Sequence, residues 1–293
     1  MGRDVTFIGF GEAGAAFALD WPAGQPRPRA FDLKTADASV RNAKLADYAR
    51  CNVDGVETAA AALDGARAAL CLVTADQALA AATEHARLLD KGALWLDMNS
   101  VAPETKRAAA QAVNDAGARY VDVAIMAPVH PRRRAVPLLV AGPHAEAGMQ
   151  LLKEIGFTDV RSVGQEIGAA SAVKMIRSVL VKGMEALTAE CVLAAEAAGV
   201  RREVLASLDA SSPDAGWEAQ ADYNLDRMIT HGVRRAAEME EAVKTLDALG
   251  TGSEMTRATV LRQRAIGERG LHSAAGLAAK IGAILGAKRS RAA

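Results

Sequence analysis

The sequence predicts an α/β fold in which a doubly wound, mostly parallel sheet is followed by an all-helical second domain. Through the first half, short apolar runs alternate with alanine-rich helical segments, a pattern typical of βαβ units. From Gln165 onward no further strand is predicted, and amphipathic helical segments follow one another. We therefore place the two domains at residues 1–164 and 165–293.

The first strand, the turn after it and the following helix form the most informative motif. Val5-Thr6-Phe7-Ile8 is an apolar run, and it leads into Gly9-Phe10-Gly11-Glu12-Ala13-Gly14 and a helix-forming segment. In such a unit the first glycine allows a tight turn, the second lets the backbone approach a pyrophosphate, and the third lets the helix pack closely on the strand. The helix N-terminus offers free N–H groups to the phosphates. The motif predicts a Rossmann dinucleotide-binding domain, with residues 9–14 in the cofactor site.

An acid follows the predicted second strand, Arg29-Ala30-Phe31. Asp32 lies about 20 residues beyond the glycine turn, where a carboxylate accepts hydrogen bonds from the adenosine ribose. A carboxylate repels a 2′-phosphate, which favours NAD, but Lys34 on the same turn could reach such a phosphate. The cofactor is therefore predicted as NAD or NADP, with NAD slightly favoured. The alternative for Asp32 is an ordinary loop residue.

The remaining elements follow the same alternation. Further strands are predicted at residues 68–73, 93–97, 119–123, 138–141 and 160–163. Helices are predicted between them at residues 59–63, 77–89 and 103–116. In the second domain, helices are predicted at residues 168–198, 202–210, 216–229, 233–249, 254–267 and 273–285.

Composition limits the classes of function. Lysine plus arginine and aspartate plus glutamate each number 35, so nothing predicts a broad nucleic-acid-binding surface. Cys51, Cys71 and Cys191 lack metal-ligand spacing and are typical of a reducing compartment. We see no signal peptide and no apolar run long enough to span a bilayer. The expectation is a soluble, cytoplasmic protein without a metal site.

Five polar residues share one stripe of the helix predicted at 168–198. Ser171, Lys174, Ser178, Lys182 and Glu185 fall within an arc of about 80°. Apolar residues occupy most of the remainder, so we expect a largely buried helix whose stripe lines a cleft; the alternative is a helix edge with snorkelling lysines. Lys174 lies near the helix start, where the helix dipole and desolvation should lower its pKa. A lysine of this kind can exchange a proton with a hydroxyl near neutral pH.

Together these motifs resemble the β-hydroxyacid dehydrogenase superfamily, which includes 3-hydroxyisobutyrate dehydrogenase, tartronate semialdehyde reductase and 6-phosphogluconate dehydrogenase. The similarity runs nearly end to end, and after Gly199 the chain is similar to a phosphogluconate-dehydrogenase-like branch. Besides the glycine turn, it is carried by Asp97-Met98-Asn99-Ser100-Val101-Ala102-Pro103-Glu104-Thr105, by the helix from Gly168 to Lys174, and by Glu185-Ala186-Leu187 through Ala198-Gly199.

The resemblance implies an NAD(P)-dependent oxidoreductase that transfers hydride between nicotinamide and a hydroxyacid-type alcohol or carbonyl, with Lys174 as the acid/base. Asn99 and Ser100 match a segment near the nicotinamide and the substrate, where we expect them to donate hydrogen bonds; alternatively they are only the N-cap region of the next helix. Ser178 stands where relatives carry a substrate-binding asparagine. Ser171, on the same stripe, is also expected to bind substrate. Val73 and Thr74 are expected to line the cofactor groove.

Two departures from the family pattern bear on the substrate. Where many relatives read Asp-x-Pro-Val-Ser-Gly-Gly, this chain reads Asp122-Val123-Ala124-Ile125-Met126-Ala127-Pro128. Met126 thus replaces a substrate-binding hydroxyl, which favours a larger or less polar substrate. Val181 occupies the position of the glutamate that decarboxylating relatives carry, so a non-decarboxylating reaction is expected.

Several questions stay open from sequence. His130 with residues 132–134, three arginines, is either an anion clamp or a solvated loop. His231, Arg234, Arg235 and Glu238 recur at helical spacing and form either a face over the cofactor, with Arg234 as a contact, or a surface salt-bridge ladder. An imine reductase, which usually has aspartate or tyrosine where this chain has Lys174, and a non-catalytic dinucleotide sensor are the alternative functions. Apolar residues on several sides of the second-domain helices predict a homodimer through that domain.

Overall fold

The computed structural model describes residues 5–290, with side chains described as far as residue 286. The chain forms two compact units that divide between Met175 and Ile176. This division falls inside a helix, later than the boundary that we place after residue 164. Within the part of the chain that is described, no helix is both long and apolar enough to cross a bilayer.

The first unit is built on one eight-stranded sheet with the order β3-β2-β1-β4-β5-β6-β7-β8. Neighbouring strands are parallel except β6 and β7. The order reverses between β1 and β4, so the predicted doubly wound sheet is confirmed, and ligands in such folds bind at this reversal beyond the strand carboxyl ends. The strands are β1 Val5–Ile8, β2 Arg29–Phe31, β3 Asp54–Gly55, β4 Ala68–Cys71, β5 Leu94–Asp97, β6 Arg119–Ile125, β7 Leu138–Ala141 and β8 Val160–Ser162.

Helices cover both faces of this sheet. In β4, successive side chains point to opposite faces of the sheet, and both faces are buried. Leu70 packs in one apolar cluster, and its neighbours Ala69 and Cys71 pack in another. A strand buried on both faces needs apolar residues at every position, which is why the strand segments read as continuous apolar runs. The helices are α1 Glu12–Ala18, α2 Arg41–Arg50, α3 Ala59–Leu63, α4 Ala78–His85, α5 Pro103–Asp115 and α6 Ala145–Glu154.

The second unit is helical, as predicted. Its core contains Val192, Leu225, Met228 and Ile281. It consists of the continuation of α7 Ala169–Ala197, which begins in the first unit, followed by α8 Arg201–Ser211, α9 Trp217–Leu249, α10 Glu254–Gly267 and α11 Leu277–Ser290.

The predicted break between residues 229 and 233 is wrong, because α9 is one continuous helix. No proline interrupts this stretch, and Gly232 serves a packing contact rather than a helix end. A Cβ on Gly232 would lie 2.5 Å from the Gln263 carbonyl oxygen and 2.8 Å from Gly267 Cα. Glycine is therefore required where α9 and α10 cross.

One face of α7 is apolar and open to solvent, contrary to our expectation that the helix is largely buried. In the second unit this face includes Ile176, Met184, Leu187, which is 58% exposed, and Leu180, which is 71% exposed. The residues recur at three- and four-residue spacing and so form one stripe. Sequence periodicity identifies an apolar face but not whether the same chain covers it.

We predict that Gly232→Ala destabilises the protein. The added methyl overlaps backbone atoms of α10, and overpacking of this kind costs about 1–3 kcal/mol. The improved helix propensity returns less than ~1 kcal/mol. Urea unfolding should therefore show a net loss of roughly 1–2 kcal/mol in the free energy of unfolding.

The matched control is Gly282→Ala in α11, where an added Cβ meets nothing within 4 Å. This variant should be neutral or more stable by up to about 1 kcal/mol. Equal stability of the two variants would show that the α9–α10 contact does not require glycine.

Candidate functional site

The glycine turn has the geometry that a dinucleotide requires. Gly9 has φ of +84°, and a Cβ there would lie 2.7 Å from the Leu72 carbonyl oxygen. A Cβ on Gly14 would lie 3.1 Å from the Phe10 ring, whereas one on Gly11 would meet nothing within 4 Å. Glycine is thus required at the first position, a Cβ at the third position would be tightly packed, and the second position borders open space at the start of α1.

Two charged side chains hold this turn from opposite sides of Phe10. Asp32 Oδ2 accepts a hydrogen bond from Phe10 N at 2.8 Å, and its Oδ1 accepts from Lys34 N at 3.0 Å. The buried Lys44, on α2, donates to the Phe10 carbonyl oxygen at 2.6 Å. Each carboxylate oxygen has a second lone pair, so Asp32 can fix the turn and still accept from a ribose hydroxyl.

Val73 and Thr74 follow β4, the neighbour of β1. Val73 Cγ1 would lie 2.9 Å from a Cβ on Gly9, so Val73 borders the glycine turn. Thr74 precedes a short 3₁₀ segment that leads into α4. Both residues lie at the same edge of the sheet as Asp32.

A fully buried ion cluster lies at the adjoining strands. Asp97 and Asp122 are register partners in β5 and β6, and Lys106 from α5 lies between them. Lys106 Nζ is 3.0 Å from Asp97 Oδ1 and 3.4 Å from Asp122 Oδ1, and all three side chains are at most 1% exposed. Tyr120 Oη donates to Asp97 Oδ2 at 2.8 Å. Burial raises the pKa of Asp122, and the neighbouring Lys106 ammonium opposes this rise.

The two carboxylates also organise the backbone around them. Asp97 Oδ1 accepts from Asn99 N at 3.0 Å. Asp122 Oδ2 accepts from Gly168 N at 3.0 Å and from Ser171 N at 3.3 Å, where its negative charge interacts favourably with the N-terminus of α7. The cluster therefore fixes both the loop after β5 and the first turn of α7.

This arrangement brings Lys174 and Ser100 together. Lys174 Nζ donates to Ser100 Oγ at 2.6 Å, although the two residues are far apart in sequence. One turn earlier on α7, the Ser171 hydroxyl donates to the Val101 carbonyl oxygen. Ser171 is 2% exposed, so its hydroxyl is already committed to holding α7 against the loop.

The amide of Asn99 is oriented by Asp97. Asn99 Nδ2 donates to Asp97 Oδ1 at 2.7 Å and to Cys71 Sγ at 3.3 Å, which uses both amide hydrogens. The amide oxygen Oδ1, by contrast, has no partner among the described residues, and the role of Asn99 toward a ligand stays a prediction. Burial raises the pKa of the Cys71 thiol to about 12, so this sulfur stays protonated.

In the second unit, the rest of the polar stripe is paired internally. Lys182 Nζ lies 2.7 Å from Glu238 Oε2 and 3.5 Å from Ser178 Oγ. Glu185 pairs with Arg235, with Nε to Oε2 at 2.9 Å. Burial lowers the pKa of Lys182, and Glu238 opposes this shift. These are interior contacts of the helical unit.

Neither hypothesis for residues 231–238 fits all four side chains. Arg235 is buried against Glu185, and Glu238 bonds to Lys182. Arg234 is exposed, and it lies on a different side of α9 from the buried Arg235. Its contact with the cofactor stays a prediction, whereas Arg235 and Glu238 belong to the interior ion pairs.

The arginines after β6 cap a helix. Arg134 donates to the carbonyl oxygens of Phe17 and Leu19, the latter at 2.7 Å, and so caps the C-terminus of α1. Arg133 pairs with Asp20. The anion-clamp hypothesis is therefore wrong for these two arginines, while His130 and Arg132 are exposed. Among the described residues, no cluster of histidine, cysteine and acidic side chains could hold a metal ion.

Fold and glycine turn together define a dehydrogenase-like, dinucleotide-binding protein. Residues 4–156, more than half of the chain, match the family described as the NAD binding domain of 6-phosphogluconate dehydrogenase. The chain belongs to this family and carries an NAD(P)-binding domain. Residues 195–266 match a domain of unknown function, DUF1932.

Solved structures resemble the chain over almost its whole length. A conserved hypothetical protein from Sinorhizobium meliloti 1021 is 35% identical, with a TM-score of 0.75 and coverage of 99% of this chain and 97% of that one. MTH1747, of unknown function and described as similar to 3-hydroxyacid dehydrogenases, is 25% identical, with a TM-score of 0.68 and coverage of 92% and 100%. Mycobacterium tuberculosis 3-hydroxyisobutyrate dehydrogenase is 16% identical, with a TM-score of 0.71 and coverage of 96% and 98%, which shows a shared fold.

A curated relative matches part of the chain. An uncharacterised 28.5 kDa protein from Methanothermus fervidus is 28% identical over 137 residues, which cover 47% of this chain. The match spans about half (51%) of that relative's length.

We predict that Lys106→Met strongly destabilises the protein, because it leaves two buried carboxylates without a counter-ion. Breaking a buried ion pair from one side costs about 3–5 kcal/mol. Urea unfolding should show this loss, whereas Lys153→Met, at an exposed position of α6, should change the free energy of unfolding by less than about 0.5 kcal/mol.

The pH dependence of the Lys106→Met defect provides a second check. Burial raises the pKa of Asp122 in the folded state and the Lys106 ammonium opposes this rise, so Lys106→Met should raise this pKa further. The variant should then lose stability relative to the wild type as pH rises through the range in which Asp122 ionises. The defect should therefore grow with rising pH and shrink in the Lys106→Met/Asp122→Asn double variant. A defect that matches Lys153→Met, or that does not vary with pH, would show that the cluster is not charged as described.

Proposed function

We propose that this protein is an NAD(P)-dependent dehydrogenase or reductase acting on a hydroxyacid-type alcohol or carbonyl. The observation that carries the proposal is the contact of Lys174 Nζ with Ser100 Oγ at 2.6 Å. It lies beyond the carboxyl end of β5, on the edge of the sheet that also bears the glycine turn. An amine at this edge, where such folds bind a dinucleotide, supports the proposal.

The residues present fit a dinucleotide. Gly11 borders open space beside the N-terminus of α1, which suits the pyrophosphate. The adenosine ribose would lie toward Asp32, and the nicotinamide half would lie on the other side of β1, toward Thr74 and Asn99. When bound, the nicotinamide accepts or supplies the hydride.

Lys174 would act as the general acid or base. In the reductive direction it supplies the proton for the oxygen of the new alcohol, and in the oxidative direction it takes up the hydroxyl proton. The position of Val181 on α7 offers no carboxylate for protonating an enolate, which supports a reaction without decarboxylation. Met126, half-buried directly after β6, supports a substrate that is larger or less polar than a small hydroxyacid.

We further propose that a second copy of the chain covers the apolar face of α7. The support is the exposure of Ile176, Leu180 and Leu187 on one helix face, since patches of this kind commonly mark interfaces. A homodimer through the helical unit is thus the proposed assembly.

The proposed reaction is tested by a screen of hydroxyacids, aldehydes and cyclic imines with nicotinamide absorbance as the readout. For a substrate that the wild type turns over, Lys174→Ala should lower kcat by about 10²–10⁴-fold because general acid–base catalysis is lost. Dinucleotide affinity should stay within about twofold, because the variant leaves unchanged the backbone N–H groups at the N-terminus of α1 that would bind the pyrophosphate.

The control for this variant is Arg177→Ala, at an exposed position one turn further along α7, which should keep full activity. Full activity of Lys174→Ala would remove the lysine from the mechanism. Dinucleotide binding without turnover of any screened substrate would instead favour the sensor.

A separate prediction concerns cofactor preference. Asp32→Asn keeps an oxygen that can accept from Phe10 N but removes the negative charge, so the turn should persist while repulsion of a 2′-phosphate disappears. The ratio of Kd for NADP to Kd for NAD should fall by about tenfold, equivalent to roughly 1.4 kcal/mol. Fluorescence titration measures both constants, and an unchanged ratio would show that Asp32 acts only through the turn.

For the assembly, we predict that Leu180→Glu produces monomers. A carboxylate on the α7 face would have to be buried without a partner in the dimer. Light scattering coupled to size exclusion measures the mass, and Leu79→Glu, at an exposed position of α4, is the control that should keep the wild-type mass. A monomeric wild type would contradict the proposed dimer.

A further inference from the structure

The hydroxyl of Ser100 is placed for proton transfer. An ammonium group carries three donors and no acceptor, so in the 2.6 Å contact Lys174 donates and Ser100 Oγ accepts. The proton of the Ser100 hydroxyl must then point elsewhere. No hydrogen bond donated by Ser100 forms within the described part of the chain, and the side chain is half-buried rather than sealed.

Neighbouring polar groups are already committed as donors. Both amide hydrogens of Asn99 are engaged by Asp97 and Cys71, and the Ser171 hydroxyl is engaged by the Val101 carbonyl oxygen. Of these three side chains beside Lys174, only Ser100 has a proton left to offer to a ligand.

The segments that carry Ser100 and Lys174 are both held in place by buried carboxylates. Ser100 directly follows Asn99, whose backbone and side chain are fixed by Asp97. Lys174 follows Ser171 by one turn, and Ser171 N is fixed by Asp122. A proton donor and its source that are held in this way need little reorganisation during the reaction.

We propose that Ser100 is a further catalytic residue, which contacts the reacting oxygen of the substrate and relays a proton between that oxygen and Lys174. The inference rests on the proposed function. In reduction, a hydride supplied by the reduced nicotinamide would form the new C–H bond as the carbonyl π pair moves to oxygen. That oxygen takes the hydroxyl proton of Ser100 while Ser100 Oγ takes a proton from the Lys174 ammonium. Lys174 becomes neutral and is reprotonated from solvent, and oxidation runs through the same transfers in reverse.

Steady-state kinetics of Ser100→Ala and Ser100→Thr, with a substrate found in the screen, test the relay. Ser100→Ala should lower kcat by about 10²-fold, because proton transfer contributes on this order, with KM and dinucleotide Kd nearly unchanged. Ser100→Thr keeps the hydroxyl and should recover most of the rate. In H₂O/D₂O mixtures, kcat should vary non-linearly with deuterium fraction in the wild type and linearly in Ser100→Ala, since two protons move in one case and one in the other.

A measurement independent of turnover tests the contact itself. The pH dependence of acylation of Lys174, followed by peptide mass spectrometry, reports the pKa of this amine. Ser100→Ala removes an acceptor that stabilises the ammonium, so the midpoint should fall, and Ser100→Thr should restore it. The same midpoint in wild type and Ser100→Ala would overturn the contact and with it the relay.

The outcomes separate the two proposals. An active wild type whose kcat is unaffected by Ser100→Ala, or a Ser100→Thr variant no better than Ser100→Ala, overturns the relay and leaves the dehydrogenase intact. A wild type that binds dinucleotide but turns over none of the screened substrates counts against the proposed function itself.

Discussion

The candidate site depends on a buried charge arrangement, the placement of Lys106 between Asp97 and Asp122. Two acids on neighbouring strands, both withdrawn from water, repel each other, and an equally buried ammonium compensates. Such clusters contribute little net stability because desolvation is costly. Here each carboxylate also accepts backbone N–H groups, one set in the loop after β5 and the other at the start of α7. Although burial of these charges costs free energy, the cluster fixes the positions of the loop after β5 and of the start of α7.

The same principle operates at the glycine turn. Asp32 accepts from one side of Phe10 and Lys44 donates to the other, so a turn rich in glycine is held by two charged side chains. Catalysis in this fold needs the dinucleotide and the proton donor at fixed positions, because small displacements reduce rates strongly. At both parts of the sheet edge, charged side chains hold the backbone in place through polar contacts.

Local patterns were sufficient to predict most of the elements but not α2, α6 or the continuity of α9, and not the contact partners of individual side chains. The sheet, the glycine turn and α10 follow from apolar runs, glycine spacing and helix stop signals that act within a few residues. Contacts between distant segments leave no such signal. Lys106 reads as an ordinary lysine in an alanine-rich helix, and Lys44 sits in a polar stretch without clear periodicity. From sequence, Gly232 indicates a break in the helix. Its packing against α10 becomes visible only when the crossing of α9 and α10 is known. The Asn99 amide donates one hydrogen to Asp97, only two residues away. The engagement of its second hydrogen cannot be predicted from sequence, because the acceptor, Cys71, is distant in the chain.

The most direct measurement is a crystal structure of the protein with reduced nicotinamide dinucleotide and a non-reacting substrate analogue. We predict that the analogue's oxygen lies within about 2.6–3.2 Å of Ser100 Oγ or Lys174 Nζ, and that its reacting carbon lies about 3–3.5 Å from the nicotinamide ring. A nicotinamide ring bound away from the carboxyl ends of β4 and β5, with Lys174 in contact with neither ligand, would contradict it.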